Sequence, residues 1–465
     1  MTDYTRNIVQ NTETQANRTL IRGATILSMD NDVGNLVSAD ILVEGSKIIE
    51  ISESIEANNA DVIDASGMIA MPGMVDSHRH SWEGQMRRLN SHAETLEDYS
   101  HATHFSFAKY YRPSDMYIGN LMTVLSCIDA GITTVIDNSH NSRTGAHSDA
   151  AVEALLDSGI RSIHATGAPV SGEWDTAHWP GNIERLQEKY FKSEENSLIS
   201  LAIMAQLEPE LWAEARRLNV PIITEFFGGE MADELEGLHQ KGLLGPDNIF
   251  NHCTALPDSG WEILREAGVR VNVCPRSDAH YGIEDGVFAM QAALRHGISP
   301  GLSVDNETSY SGDMFMEMKV AFYSQRATGM QHKHCCGSEQ HPLTLQSHNL
   351  LKAATIDGAV CAGLQDKIGS LTPGKQADIV LINAEDMNLY PSGNAFSTVV
   401  HAADRSNIDT VMIGGRIVKR GGKVLGVDNV RLRAAIDESR EHLFAAAGYV
   451  PDIFAEAFLP LESAQ

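Results

Sequence analysis

Positive charge is what this chain of 465 residues is shortest of: 35 Lys and Arg stand against 62 Asp and Glu, a formal net charge of −27. Such a surface repels the phosphates of nucleic acids and of anionic membranes. Neither is an expected partner; a neutral or weakly polar small molecule is. Cysteine is scarce as well. The six cysteines include one adjacent pair, Cys335-Cys336, and no C-x-x-C pair, which excludes a disulfide framework and fits free thiols in a reducing compartment. No run approaches the roughly 18 consecutive apolar residues of a membrane helix. The first residues, MTDYTRNIVQNTETQ, lack the apolar stretch of a secretory signal. The expected location is the cytoplasm.

What is present is an ordinary globular balance, 43% apolar and 21% charged, enough for a large core without staples. Short β-rich runs at 20–27, 39–45, 47–51 and 61–65, separated by Gly, Asn and Asp, read as an antiparallel meander. The same texture returns at 377–382 and 410–418, with Gly414-Gly415 as a hairpin turn. Neither set has enough strands to stand alone. The expectation is therefore a composite β-sandwich domain from residues 1–72 and 366–425.

Between them the pattern changes to strands alternating with helical stretches. Eight strands are expected: 69–76, 133–137, 161–165, 200–203, 221–225, 249–252, 269–273 and 299–305. That count fits a (β/α)8 TIM barrel over 73–365, followed by a C-terminal helical extension, 426–465, with a helix over 430–447. Active sites of such barrels lie at the C-terminal strand ends. The polar residues ending these strands are His78, His80, Asp137, Glu225, His252 and Asp305.

Two histidines at i and i+2 point to opposite faces of a regular strand, but a bending strand end can turn both toward one ion, and neutral imidazole is the commonest metal ligand. Alone, H-x-H is a weak signal. Here it directly follows Met71-Pro72-Gly73-Met74-Val75-Asp76.

At this point the sequence resembles the amidohydrolase superfamily. MPGMVDSHRHSWEGQMRR is similar to its strand-one motif, and His252-Cys253 to its strand-six motif. CPRSD at 274–278 is similar to strand seven of the chlorohydrolase and nucleobase-deaminase branch, and LSVDN at 302–306 to the strand-eight aspartate. ATIDGA, GSLTPGKQADIVLI and IGGRIV are similar to its closing β segment. The resemblance spans roughly 18–425. It implies one divalent metal ion per subunit (cobalt, zinc, iron or manganese), held by His78, His80 and Asp305. Asp305 would also take a proton from the metal-held water, and His252 would stand beside that water as ligand or electrostatic partner. A dimer or tetramer is expected from the family tendency and the C-terminal helix.

The pattern breaks at strand five. The branch carries H-x-x-E there, a histidine ligand and a glutamate that shuttles protons in deaminases; this chain reads Glu225-Phe226-Phe227-Gly228. Glu225 is a candidate oxygen ligand or a residue supporting the ligands, and the shuttle carboxylate is missing. No lysine lies between Lys192 and Lys241, so the carbamylated lysine of two-metal members has no counterpart and one metal is expected. His280, just after strand seven, is a candidate catalytic acid or carbonyl-orienting group. Trp82, Gln85, Phe250 and His140 are candidate pocket residues. His332, His334, Cys335, Cys336 and His341 lack zinc-finger spacing and read as a loop.

The missing strand-five acid points to hydrolysis of a carbonyl C–S or C–N bond in a neutral carbamate, thiocarbamate or urea by attack of hydroxide held at the metal. Overall length, the altered strand five and FNHC at 250–253 are similar to the molinate and phenylurea hydrolases. The alternative is an aminohydrolase or dechlorinase acting on a nitrogen heterocycle, triazine- or nucleobase-like, which CPRSD favours.

Overall fold

A computed structural model of the protein describes residues 8–10, 17–191, 198–336 and 345–454. Eight parallel strands follow one another around a barrel: Met74–Arg79, Ile132–Ser139, Arg161–Gly167, Ile199–Met204, Ile222–Phe226, Asn248–His252, Arg270–Val273 and Gly301–Leu302. All eight residues of Ile132–Ser139 are buried, as a parallel strand covered on both faces requires. Helices start and stop where backbone chemistry directs. Pro113–Asp129 opens on a proline, whose missing N–H costs nothing at a first turn. Gly145–Ser158 ends at Gly159 with φ 72°, a left-handed cap that suits glycine. The barrel closes between strands one and eight by a bridge from Arg79 to Asp305. His80 N donates to Asp305 O at 2.8 Å, and Asp305 N donates to His78 O at 3.0 Å.

The expected strand 69–76 is two strands. Met68–Pro72 pairs with Ile379–Asn383 in a second sheet, while Met74–Arg79 opens the barrel. The break falls at Gly73, where a Cβ would lie 2.0 Å from Thr133 Oγ1. Strands from both ends of the chain hydrogen-bond into this second, nine-stranded sheet. Its core unites Ile21, Ile41 and Ile63 with Leu381 and Met412. Arg161, on barrel strand three, donates to Asp378 through two nitrogens at 2.8 and 2.9 Å, a buried fork that ties the sheet to the barrel.

Two further segments bear on the expectations. Residues His332, His334, Cys335 and Cys336 close the helix Met314–Cys336 and do not form a loop; the last turns continue a 23-residue helix past Gly329, with no Pro to end it. His341 lies outside the described residues. The C-terminal helix runs Asn429–Ala447, capped by Asp428 and ended by Gly448. Among the described residues no helix is long and apolar enough to cross a membrane.

Candidate active site

Five side chains from four strand ends converge at the barrel mouth. His78 Nε2 lies 3.2 Å and His80 Nε2 3.3 Å from Asp305 Oδ1. The same two nitrogens lie 3.6 and 3.9 Å from Glu225 Oε1, and His252 Nε2 is 3.2 Å from Glu225 Oε2. Asp305 and His252 have φ of 72° and 67°. Non-glycine residues in this region store strain that surrounding packing must offset, a frequent mark of functional sites.

These residues fit a divalent cation. His78 Nε2 is buried and meets no acceptor in hydrogen-bond geometry, while the other ring nitrogens are engaged from behind. His80 Nδ1 donates to Asn138 O at 3.0 Å, and His252 Nδ1 lies 2.7 Å from Asp278 Oδ1. His78 Nδ1 faces the amides of Asn138 and Asn251. Such backing orients imidazole ligands. Burial works against ionised carboxylates here, yet the imidazole charges outweigh it. Asp305 is held well below the usual range, chiefly by His78, and Glu225 is lowered to about 2 by His78 and His252. Cys274 is close enough to complete a four-donor group with His78, His252 and Asp305, but burial pushes its thiol up to about 12 and it contacts Ser303 and Asn272 instead.

A cavity of about 430 Å³ opens onto these groups. Its walls are Tyr99, Trp179, Met204, Leu211, Phe227 and Tyr281, and no Lys or Arg is among the described lining residues. His140 lines it too, its ring stacked on His80 at 4.2 Å. Trp82 Nε1 donates to His140 Nδ1 at 3.2 Å. Because indole is a donor only, His140 Nδ1 must accept, and its N–H sits on Nε2. Burial keeps His140 far below the ordinary imidazole value and lowers neighbouring His104 to about 3, so both are neutral donors or acceptors.

The structure places the remaining expected residues elsewhere. Trp82 stands behind His140 rather than in the lining. Gln85 is spent on Asp115 O at 2.6 Å, Ser439 Oγ at 3.0 Å and Tyr111 Oη at 3.2 Å. Phe250 stacks on Phe226 at 4.6 Å outside the cavity. His280 ends the helix Pro275–His280, packs against Tyr281 and Tyr310, and does not line the cavity; Tyr281 does. Asp137 lies 2.7 Å from His164 Nδ1, away from the five donors. Gly228 has no room for a carboxylate: a Cβ would meet Thr254 O at 2.4 Å and Leu256 Cβ at 2.6 Å.

Several residues had no assigned role in the sequence. Asn138, Asn251 and Asp278 buttress the imidazoles, and Tyr99 and His104 build the wall. Glu83 is buried, and its Oε1 accepts from Tyr99 Oη at 2.7 Å. Burial holds its carboxyl well above the usual range. The only sequence signal was proximity, since Asn251 and Asp278 sit inside the FNHC and CPRSD motifs.

Comparison with known proteins agrees with this geometry. The Amidohydrolase family model matches residues 219–418. A 5-methylthioadenosine/S-adenosylhomocysteine deaminase of Carboxydothermus hydrogenoformans is 28% identical, over 89% of this chain and 95% of that protein. A 5'-deoxyadenosine deaminase of Methanosarcina acetivorans is 26% identical, over 92% and 99%. Among solved structures, an atrazine chlorohydrolase mutant from Arthrobacter aurescens, complexed with zinc and atraton, superposes with TM-score 0.79 at 21% identity, covering 91% of this chain and 100% of that one. A zinc-bound adenosine deaminase from Xanthomonas campestris gives 0.79 at 19%, over 93% and 100%. These two share the fold. With the family match over residues 219–418, the relatives along almost the whole chain and the buried donor set taken together, the chain is a metal-dependent hydrolase similar to proteins of the amidohydrolase family.

Proposed function

We propose that the protein is an aminohydrolase or dechlorinase acting on a neutral nitrogen heterocycle, nucleobase- or triazine-like. The observation that carries this reading is the cavity: about 430 Å³, walled by aromatic and apolar side chains, with the carboxylate and imidazole set on its floor. That volume suits a small planar ring. The full-length likeness to adenosine-type deaminases supports the same substrate class over the carbamate one.

His78, His80 and Asp305, with Glu225 and His252 beside them, would hold a divalent cation, which would supply Lewis acidity and lower the pKa of water from 15.7 to about 7. The chain's own groups do the rest. Asp305 Oδ2 accepts from Ser277 Oγ, which leaves Oδ1 toward the imidazoles; held ionised, Asp305 is the proton acceptor. Although burial opposes it, His252 is raised well above the ordinary imidazole value, with Asp278 Oδ1 2.7 Å from its Nδ1, and presents a positive group to developing negative charge. His140 offers a neutral N–H from the wall to orient the ring. The apolar lining excludes water around the reacting carbon.

A second reading is favoured by Gly228. Without a strand-five acid, cleavage of an acyclic thiocarbamate, carbamate or urea, whose leaving group needs no ring protonation, fits the same floor. Turnover by the metal-loaded protein separates the two. The expected result is product from 5'-deoxyadenosine or a chlorotriazine, with little from a thiocarbamate or phenylurea. Turnover confined to the thiocarbamate or phenylurea would reverse the order.

A further inference from the structure

A second cleft, of about 410 Å³, lies apart from the active-site cavity and shares no lining residue with it. In a chain of net charge −27 it gathers four cations, Arg87, Arg88, Lys319 and Arg405. Three carboxylates, Glu307, Asp313 and Asp404, also face it, so the four cations leave the cleft a formal charge of +1. Glu307 is paired with Arg87 and with Arg79 Nη1 at 3.2 Å. Asp313 accepts from Met316 N at 2.9 Å and Ser311 Oγ at 3.0 Å. Asp404 accepts from Ser406 N at 2.7 Å and Ser406 Oγ at 2.6 Å. Lys319 Nζ is held by Ala403 O at 2.8 Å.

That leaves Arg88 and Arg405, whose guanidiniums make no hydrogen bond or ion pair with other described residues. Partial desolvation and the neighbouring Arg87, Arg405 and Arg440 lower the pKa of Arg88 against the opposing pull of Glu307. The Arg88 backbone has φ 59°, a costly conformation for a long side chain. That backbone is held by Arg88 N donating to Glu307 O at 3.1 Å, and the Arg88 side chain lines the cleft.

We propose that this cleft binds a phosphate-bearing small molecule through the guanidinium forks of Arg88 and Arg405. Planar forks match phosphate oxygens bidentately, and the hydroxyls of Ser126 and Ser406 line the same space. Hydrogen bonds and ion pairs run from the cleft to the segment that carries Asp305. Arg88 N donates to Glu307 O at 3.1 Å and Asn90 N to Thr308 O at 3.3 Å. Glu307 pairs with Arg79, Arg79 with Asp76, and Asp76 Oδ1 accepts from Val304 N at 3.1 Å, next to Asp305.

The test is calorimetric titration of the metal-loaded protein with inorganic phosphate, adenosine 5'-monophosphate and citrate, beside Arg88→Ala, Arg405→Ala and Arg88→Lys. Both residues are exposed, so the variants are expected to fold, and an unchanged circular dichroism spectrum and Tm check this. Saturable binding of phosphate or the monophosphate is expected, weakened about tenfold by either alanine variant and less by the lysine. Binding of phosphate alone would identify the free ion as ligand, and tighter binding of the monophosphate an organic phosphate. Equal binding by wild type and both alanine variants, citrate bound as tightly as phosphate, or no saturable binding of either phosphate would overturn the proposal.

Discussion

The two sides of the metal site are built by different means. On the side of strands one and eight, His78, His80 and Asp305 are fixed through main chain, by reciprocal backbone hydrogen bonds. Beneath them lie Asp76 and Arg79, both fully buried and bonded to each other and to the Glu307 loop. On the side of strand five, Glu225 is held mainly by the imidazoles it faces, and Gly228 is packed shut. The side secured by backbone keeps the expected residues; the side secured by side chains departs from them. Side-chain identity can change at Glu225 without unpicking the barrel, so differences in chemistry gather there.

The largest effect that probes this contrast is on metal content. His78→Ala is expected to lose bound metal and activity together, below detection in dialysed protein. Glu225→Gln is expected to keep metal with affinity reduced about 10–100-fold. Metal analysis of the two variants decides: equal loss would make Glu225 as essential as His78 and erase the distinction.

The next effect is on stability. Arg79→Leu leaves Asp76 and Glu307 buried with a partner removed, at a cost of about 3–5 kcal/mol. Adding Asp76→Asn should recover part of the loss. Urea unfolding measures both, and a cost under about 1 kcal/mol would show that backbone bonds alone hold the Asp305 side.

A pH effect follows from Glu317, which is buried against Arg276 beside the Ser277 that holds Asp305. Burial raises its carboxyl from 4.5 to about 7. A folded value above the unfolded one means that the group's contribution is complete below 4.5 and is lost as pH rises through about 7. Relative to Glu317→Gln, which carries no proton equilibrium, the wild type should lose roughly 3 kcal/mol at most between pH 4.5 and 8. Parallel stability curves for the two proteins would show that Arg276 keeps Glu317 ionised throughout.

Much of this was legible in sequence, for identifiable reasons. Parallel strands buried on both faces read as β-branched runs, and five of the six strand-end polar residues gathered at the mouth, Asp137 turning instead to His164. The misplacements share a cause, which is backbone direction. Asn251 faces inward to His78, so alternation turns Phe250 outward, and His252 reaches the site only because its positive φ breaks the alternation. His280 follows Pro275, which starts a short helix that carries the ring toward Tyr310. Gln85 lies in the 3-10 helix Ser81–Met86 and is claimed by Ser439 of the C-terminal helix, a partner no local pattern announces. Tyr99 and His104 come from a stretch of short helical turns without clear periodicity.

The smallest effect tests the closed side most directly. Gly228→Glu places a carboxylate where the resembled strand-five motif has its glutamate. Its Cβ, however, would sit 2.4 Å from Thr254 O, a backbone atom that cannot swing aside, and 2.6 Å from Leu256 Cβ. Overpacking of this kind costs about 1–3 kcal/mol, and the strand-six turn would have to move to admit it. That turn carries His252 and Cys253, both already at positive φ, so accommodation would displace an imidazole rather than add an acid. The variant should therefore unfold at lower urea and gain no deamination of an adenine nucleoside. A stable variant with raised deaminase turnover would show that the strand-five pocket is open to a carboxylate, and that only the amino-acid change, not the packing around it, separates this site from the deaminase pattern.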